Sequence, residues 1–466
     1  MKQSSGRVSR ARLVAYEVLQ DVDERDAYAN LALPKHIRDA RLDARDAAFV
    51  TELVSATLRF RGKYDHIISL AAGRPIEQID ARTLRVLRLG VHQVLSMRTA
   101  VHAALNESVE LQKRVGQAAA AGFVNGVLRT VSRSSHEQWE SRISEQISDD
   151  VARQAVLTSH PAWVIRALNA ALSAEHRSAE LNQALLANNE APIVNVVLLT
   201  DELNPQHESE LYEALSPAGP SPIGFTVNPG KLREVLESQP ALSGNLRVQD
   251  QGSQVAALAL TSATPIAEGE HWLDLCAGPG GKTAILANES RRHQATLRAN
   301  EISEHRAKLV RDSVRAWSSE VEIVNFDGRD ALAYGDHLFD RILIDAPCSG
   351  LGALRRRPDA RWRKELSDLA ELNQLQTQLL NAAAEHLQVG GVIAYVTCSP
   401  VLAETRVVVD EFLGRHSGFL ELNARQVIEG IATEHLDLSD RFLSAQLWPH
   451  RNATDAMFVS LLQKTS

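Results

Sequence analysis

The sequence predicts a multidomain protein with an all-α N-terminal domain, a small α+β linker domain and a C-terminal doubly wound α/β domain. Three observations lead to this expectation. The chain has 466 residues, more than one compact core usually contains. Apolar residues recur at helical spacing over residues 8–131. From His271 onward, short apolar strands alternate with longer helical patterns. The expected domains are residues 1–135, 136–245 and 246–466.

The composition excludes several classes of protein. Hydrophobic residues make up 44% of the chain and charged residues 23%, so we expect neither a disordered nor a fibrous chain. The segment Met1–Arg12 is not followed by an apolar stretch, and runs such as Ile193–Leu199 are too short to span a membrane. Three cysteines form no CxxC pair and no zinc-binding spacing. We therefore expect a cytoplasmic protein with no disulfide, no metal and no membrane partner.

Charge is unevenly distributed along the chain. Residues 1–135 hold 21 Lys and Arg against 14 Asp and Glu, a net charge of +7, whereas residues 136–466 hold 29 against 44, a net charge of −15. The basic first domain could therefore contact nucleic acid. Within it Arg82, Arg85 and Arg88 lie three apart on a predicted helix, which fits either an RNA-facing surface or an ordinary solvated helix face.

The first two domains differ in their patterns. Residues 8–131 are divided into several helices by glycine and proline residues. The polar stretch 134–150 indicates a solvated helix or linker, and we place the first boundary there. The next segment contains further helix, a strand pattern at Val194–Leu199 and several prolines from Pro205 to Pro229. A small α+β unit is the expected content.

The C-terminal part has the pattern of a parallel sheet covered by helices. The predicted strands are Trp272–Leu275, Thr296–Glu301, Val321–Phe326, Arg341–Ile344 and Gly391–Thr397. In such Rossmann-like sheets, ligands bind beyond the carboxyl ends of the strands. The motifs that suggest chemistry all follow predicted strands.

The first motif is a glycine-rich turn, Asp274–Thr283, which reads DLCAGPGGKT. A P-loop would need glycine where this chain has Cys276, so a nucleoside-triphosphate loop is disfavoured. The turn better matches the loop with which Rossmann-like methyltransferases hold S-adenosylmethionine. Glu301, after the second strand, is placed to accept hydrogen bonds from ribose hydroxyls, and Asp327, after the third, to bind the adenine amine. Each acid could instead be an ordinary strand-end residue.

Two cysteines follow the next strands, Cys348 in DAPCSG and Cys398 in TCSP. An isolated cysteine is more often a buried structural residue, but two thiols at strand ends beside a cofactor loop favour catalysis. A thiolate that adds to C6 of cytosine makes C5 nucleophilic enough to take a methyl group. Asp345 is placed to hydrogen-bond N3 and the exocyclic amine of the base.

The motifs DLCAGPGGKT, DAPCSG and YVTCSP, in this order, resemble the Sun/Fmu (RsmB) family of RNA cytosine-C5 methyltransferases. Residues 8–131, with AALNESVELQKRV and AAGFVNGVLR, resemble the NusB-like helical RNA-binding domain that precedes the catalytic part in that family. The resemblance implies an enzyme that forms 5-methylcytosine in 16S ribosomal RNA, with S-adenosylmethionine as methyl donor.

The same resemblance implies roles for individual residues. Cys398 would be the nucleophile, Cys348 would help to release the product, and Asp345 would act in catalysis and contact the cofactor. The other implied cofactor contacts are Cys276, Ala277, Gly278, Pro279, Gly280, Gly281, Lys282, Glu301, Arg306 and Asp327.

A basic segment directly after the Cys348 motif is a candidate RNA contact. It contains a tryptophan, Trp362, and six basic residues, Arg355, Arg356, Arg357, Arg361, Arg363 and Lys364. The arginines would meet phosphates, and the tryptophan would stack on a base or simply pack.

Two alternatives stay open from the sequence. One is a non-catalytic RNA-binding or ribosome assembly factor, against which both cysteines and Asp345 argue. The other is a transfer-RNA enzyme with the same chemistry. We expect a monomer that acts on ribosomal RNA, either naked or partly assembled.

Overall fold

The computed structural model describes residues 8–200, 211–232, 234–235 and 245–466. The chain divides into two compact units, Met1–Arg166 with Leu354–Arg363, and Ala167–Ala353 with Lys364–Ser466. We call them the helical unit and the sheet unit. Pro205 lies outside the described residues, as do residues 1–7 of the N-terminal segment considered above. Within the described residues, no helix has the length and apolar character needed to cross a membrane.

The helical unit is all-α, as predicted. Its helices are Arg10–Glu24, Ala29–Asp39, Ala44–Arg59, Arg61–Ala72, Ala81–Leu95, Val101–Val115, Ala121–Val131, His136–Gln146 and Asp150–Thr158, and the helix Ala162–Ala174 begins in it. Several helices start at a side-chain cap; Asp43 and Asp80, for example, accept hydrogen bonds from backbone amides in the first turn. Aliphatic residues such as Leu53, Leu87 and Leu128 form one buried core.

The polar stretch at residues 134–150 belongs to this core rather than to a solvated linker. Ser135 and Gln138 form a capping box at the start of the helix His136–Gln146. Trp139 and Ile143, four residues apart, are buried, and the Trp139 indole donates a hydrogen bond to the Val131 carbonyl at 3.1 Å. Two apolar residues one turn apart suffice to dock a helix whose other positions are polar.

The sheet unit contains two sheets. Strands β1 (Asn195–Leu198), β2 (Leu215–Ser216), β3 (Gly224–Val227) and β4 (Leu246–Val248) form a small antiparallel sheet in the order β2-β3-β1-β4. The predicted strand Val194–Leu199 is therefore present as β1. Helix Leu181–Ala187 precedes this sheet.

The larger sheet has a parallel centre. Its strands are β5 (His271–Asp274), β6 (Thr296–Asn300), β7 (Val321–Val324), β8 (Phe339–Asp345), β9 (Leu387–Thr397), β10 (Phe419–Leu422), β11 (Ala445–Gln446) and β12 (Phe458–Lys464). The order is β10-β12-β9-β8-β5-β6-β7, with β11 paired to β12. Strands β5 to β9 are the five predicted strands and run parallel. Strands β10, β11 and β12 pair antiparallel and were not predicted.

Helices cover both faces of the larger sheet, as a doubly wound fold requires. They are Gln251–Ser262, Gly281–Arg292, Glu304–Ser313, Asp368–Glu385, Arg406–Arg415, Ala424–Ile431 and the short Pro449–Asn452. One buried cluster contains Ile285 and Trp272, and the other contains Leu379 and Leu273. Since Trp272 and Leu273 are consecutive in β5, the strand has a core on each face. This arrangement fixes the carboxyl ends of the parallel strands, where the candidate site lies.

Candidate active site

The glycine-rich turn joins β5 to the helix Gly281–Arg292. Gly280 has φ of +104°, and a Cβ there would lie 2.5 Å from Ser313 Cβ, so only glycine fits. Arg247 Nη1 donates a hydrogen bond to the Gly280 carbonyl at 3.1 Å, a support that sequence reasoning missed. The first turn of the helix presents backbone N–H groups at the strand edge, which favours a negatively charged ligand group.

Glu301 lies directly against this turn. Its carboxylate is 2% exposed, and Oε2 accepts a hydrogen bond from the Gly278 amide at 2.9 Å. Oε1 accepts one from the Ser303 amide at 3.0 Å. Arg306 Nη1 lies 3.4 Å from Glu301 Oε2, and the same guanidinium donates to the Gly278 carbonyl. The structure thus brings together three predicted residues, Gly278, Glu301 and Arg306.

Asp327 follows β7 and is about one-third exposed. The Arg329 guanidinium donates to both of its carboxylate oxygens, at 2.9 and 2.6 Å. These hydrogen bonds hold the pKa of Asp327 below its usual range. Asp327 is therefore an ionised acceptor at the strand edge, with an arginine partner that the sequence analysis did not anticipate.

Asp345, at the end of β8, forms an ion pair with Lys282, whose Nζ lies 2.7 Å from Asp345 Oδ2. Close to this pair, Asp274 is fully buried and accepts a hydrogen bond from Thr283 Oγ1 at 2.8 Å. Burial raises the pKa of Asp274 to about 7. Lys282 and Asp345 were both predicted site residues; the protonated character of Asp274 was not foreseen.

The three thiols occupy different environments. Cys348 Sγ lies 3.4 Å from Cys398 Sγ, too far for a disulfide, and both are free cysteines. The hydrogen bond with Cys398, together with burial and the nearby Glu404 charge, raises the pKa of the Cys348 thiol well above its ordinary value. Burial likewise raises the pKa of the Cys276 thiol. Cys276 therefore lines the glycine turn as a neutral side chain, whereas Cys348 and Cys398 form a pair.

The predicted RNA-facing segment lies in the helical unit as far as Arg363, with Lys364 in the sheet unit, and much of it is buried. Arg361 is fully buried and donates to the Ser159 carbonyl at 3.0 Å, while Arg355 is 7% exposed. Arg363 donates to the Asp359 carboxylate at 2.8 Å. The expectation that all six basic residues face RNA needs correction for Arg355 and Arg361, because both side chains are buried and the Arg361 guanidinium is taken up by backbone carbonyls.

The remaining members of the segment are more accessible. Arg356 is exposed, Arg357 and Lys364 are half-buried, and the half-buried Trp362 packs rather than projecting, since its indole donates to the Leu58 carbonyl at 3.3 Å. Among the patch residues, Arg356 is the one that solvent reaches most freely.

The arginines on the predicted helix near residue 85 are also not one RNA-facing row. Arg85 and Arg88 are buried, at 1% and 6% exposure. Arg85 pairs with Asp23 at 3.0 Å, and Arg88 pairs with Asp65 at 2.6 Å. These two cations stabilise the helical unit internally.

Comparisons with known proteins agree with this architecture. A family model described as 16S rRNA methyltransferase RsmB/F matches residues 262–463, and a NusB family model matches residues 9–133. The protein Rv1407 of Mycobacterium tuberculosis, named as a methyltransferase, is 41% identical over 460 residues, which are 97% of this chain and 96% of the relative. Ribosomal RNA small subunit methyltransferase B of Erwinia tasmaniensis is 32% identical over 421 residues, covering 88% of this chain and 91% of the relative.

A solved structure shares the fold over the whole chain. The crystal structure of PH0851 superposes with a TM-score of 0.78 and covers 99% of this chain and 100% of its own, at 20% sequence identity. The likeness at this identity concerns the fold alone.

Proposed function

The chain belongs to the RsmB/F family of 16S rRNA methyltransferases, and from this premise we propose that it forms 5-methylcytosine in 16S ribosomal RNA with S-adenosylmethionine as methyl donor. Membership makes it an RNA methyltransferase with a NusB domain. One observation carries the finer proposal: two thiols 3.4 Å apart follow neighbouring parallel strands beside the glycine turn.

The residues around the glycine turn fit S-adenosylmethionine. The turn has no room for a side chain at position 278, since a Cβ on Gly278 would lie 2.3 Å from Glu301 Oε2. Glu301 Oε1 accepts one backbone hydrogen bond and keeps a lone pair that can accept from a ribose hydroxyl, whereas Oε2 is shared by the Gly278 amide and Arg306. The cofactor would be held by residues 276–282, Glu301, Arg306, Asp327 and Asp345. When bound, it supplies an electrophilic methyl group on a sulfonium.

Cys398 is the proposed nucleophile, a role taken from the family resemblance. Its thiolate forms the S–C6 bond, and the displaced electron pair makes C5 of cytosine nucleophilic. Asp345 accepts hydrogen bonds from the exocyclic amine and from N3, which takes up a proton from solvent as the thiolate adds to C6 and returns it when the C6–S bond breaks. Lys282 Nζ, 2.7 Å away, forms an ion pair that balances the charge of Asp345.

Cys348 is the proposed partner in product release. After C5 has gained the methyl group, its proton must leave while the C6–S bond breaks. Cys348, protonated because its pKa is raised, gives its proton to the departing Cys398 sulfur and takes the proton from C5. The two thiols end protonated, and one proton passes to solvent before the next cycle.

We further propose that the helical unit binds the ribosomal RNA around the target. The basic charge of residues 1–135, net +7, supports this role. The three-domain division at 1–135, 136–245 and 246–466 is likewise retained as a proposal. Its first part coincides with the region that the NusB model matches, residues 9–133.

The proposal is tested by bisulfite mapping of 16S RNA. Purified protein, S-adenosylmethionine and an unmodified 16S transcript are combined, with Cys398→Ala as the control. One protected cytosine that is absent from the control supports reaction, substrate and nucleophile together. If neither the transcript nor assembled small subunits gain a protected cytosine, while calorimetry shows that the cofactor binds, the C5 reaction on 16S RNA is wrong.

A further inference from the structure

A buried carboxylate lies behind the two thiols. Glu404 has no exposed surface and ends the short helical turn Leu402–Glu404. Its Oε1 accepts a hydrogen bond from the Ser349 amide at 2.6 Å. Its Oε2 accepts from Ser349 Oγ and from Ser399 Oγ, both at 2.6 Å. Because Ser349 follows Cys348 and Ser399 follows Cys398, one carboxylate binds the residue after each thiol.

Nothing in the described part of the chain neutralises this carboxylate by an ion pair. Its remaining contact is with Gln376, whose Nε2 lies 3.4 Å from Oε1 and donates to the Pro347 carbonyl at 2.8 Å. Burying a charge that only hydrogen bonds compensate is costly, so a carboxylate kept there points to a function beyond packing.

We propose that Glu404 is a positioning residue that fixes the separation of the Cys348 and Cys398 thiols by clamping the turn after β8 to the turn after β9. The inference rests on the proposed function, since only a mechanism that uses both thiols needs their spacing to be fixed. Glu404 itself touches neither substrate nor cofactor in this scheme.

Other contacts between the two turns are consistent with a clamp. Ser349 Oγ lies 3.1 Å from Ser399 Oγ, and the Gly352 amide donates to the Cys398 carbonyl at 2.8 Å. A Cβ on Gly352 would lie 2.7 Å from that carbonyl, so the turns approach as closely as backbone allows. Among these contacts between the two turns, the hydrogen bonds to Glu404 are those that include a carboxylate.

The negative charge also acts on the Cys348 thiol. After the Cys398 hydrogen bond and burial, Glu404 is among the causes that raise the pKa of the Cys348 thiol. A thiol kept protonated is the form that can pass a proton to a departing sulfur. The clamp thus holds Cys348 both in place and in its neutral state.

The test compares Glu404→Gln with Glu175→Gln, which removes another buried carboxylate of the same unit, 2.7 Å from Arg451. Two measurements use protein without RNA or cofactor. Dibromobimane reports bridging of Cys348 to Cys398, and iodoacetamide labelling read by mass spectrometry reports the pH profile of Cys348 alone. In Glu404→Gln we expect the bridging yield to fall at least twofold and Cys348 labelling to accelerate, by about tenfold for each unit by which its pKa falls.

With RNA, Glu404→Gln should lower kcat while leaving KM for S-adenosylmethionine near the wild-type value. The inference is overturned if Glu404→Gln shows the bridging yield and the Cys348 labelling rate of the wild type. It is also overturned if Glu175→Gln changes both quantities as much as Glu404→Gln does. If Glu404→Gln does not fold, Ser399→Ala and Ser349→Ala replace it, and unchanged bridging in both overturns the clamp. The bridging and labelling measurements do not require methylation. Their outcome therefore tests the role of Glu404 independently of the test of the proposed function.

Discussion

Cys348 and Cys398 lie 50 residues apart in the chain, yet their sulfur atoms are 3.4 Å apart. The contact arises because β8 and β9 are neighbouring parallel strands and each cysteine follows the carboxyl end of its strand. Two thiols at this distance can exchange a proton directly. Their different roles in the proposed cycle lead to the first prediction.

The two cysteines should respond differently to replacement by alanine. Cys398→Ala should reduce methylation to background, because no thiolate can add to C6. Cys348→Ala should still add Cys398 to the base but release the product slowly, so a protein–RNA adduct accumulates. Denaturing gels after incubation with RNA and S-adenosylmethionine measure the adduct.

Cys276→Ala is the matched control, since its thiol lies in the glycine turn rather than in the pair. It should form no lasting adduct. A protein–RNA adduct in Cys398→Ala would mean that the roles of the two thiols are exchanged. Normal turnover in Cys398→Ala would mean that Cys398 is not the nucleophile.

Gly278→Ala should weaken cofactor binding. The added Cβ would lie 2.3 Å from Glu301 Oε2 and 2.8 Å from Arg306 Nε, so the buried carboxylate must move from the ribose-binding position. We expect the Kd for S-adenosylmethionine to rise at least about tenfold, equivalent to about 1.4 kcal/mol, by calorimetry. Gly414→Ala is the control, because its Cβ meets nothing within 4 Å in a helix of the same unit. Equal Kd values for the two variants would refute this account of the turn.

Arg356 and Arg361 should separate RNA binding from stability. Arg356 is exposed, and Arg356→Ala should weaken RNA binding and lower the salt slope by about one, with a smaller loss of thermal stability than Arg361→Ala. Arg361→Ala leaves the Ser159 and Arg59 carbonyls without its hydrogen bonds, which should cost about 2 kcal/mol of unfolding free energy in the helical unit. Filter binding at several salt concentrations and calorimetric unfolding measure the two effects. Unaltered RNA affinity and salt slope in Arg356→Ala would remove this segment from the RNA surface.

The positions of site residues could be predicted from the sequence where they follow from the order of the strands. They could not be predicted where a side chain binds a partner that is distant in the chain. The glycine turn, Glu301 and the cysteines follow strands, and strand ends of one parallel sheet necessarily converge, so sequence order alone placed them. Arg361 was misjudged because its partner carbonyls at Arg59 and Ser159 are 302 and 202 residues away. Glu404 received no role from the sequence, since its hydrogen bonds to Ser349 depend on two turns that meet only in the folded protein.

The antiparallel strands show the same limit in the fold. Strands β10 and β12 come after the five parallel strands in the chain. Strand β12 pairs with β9, and β10 pairs with β12. The strand Phe419–Leu422 follows a helix, as the parallel strands do, so the sequence pattern alone would predict that it is parallel as well. Its antiparallel direction is seen only in the strand pairing of the folded protein. The sequence pattern therefore predicted the strands beside the cofactor turn but not the far edge of the sheet.

Asp274 should make the sheet unit less stable as pH rises from about 4 to 7. An unfolded Asp loses its proton near pH 4, whereas burial raises the pKa of Asp274 to about 7 in the folded protein. Between these values the folded state binds the additional proton, so this group's contribution is fully present below pH 4 and is lost as pH approaches 7. Asp274→Asn is neutral throughout and keeps an oxygen to accept from Thr283 Oγ1. Its unfolding temperature relative to wild type should rise from pH 5 to pH 7 and level off above.

Scanning calorimetry at pH 5, 6, 7 and 8 measures this difference without requiring activity. Asp340→Asn is the control, a carboxyl at the opposite end of the sheet that accepts from the His271 amide at 2.8 Å. A difference between Asp274→Asn and wild type that stays constant with pH would mean that Asp274 is ionised in the folded protein. The glycine turn would then carry a second full negative charge beside Asp345, and the cofactor's sulfonium would be attracted by both.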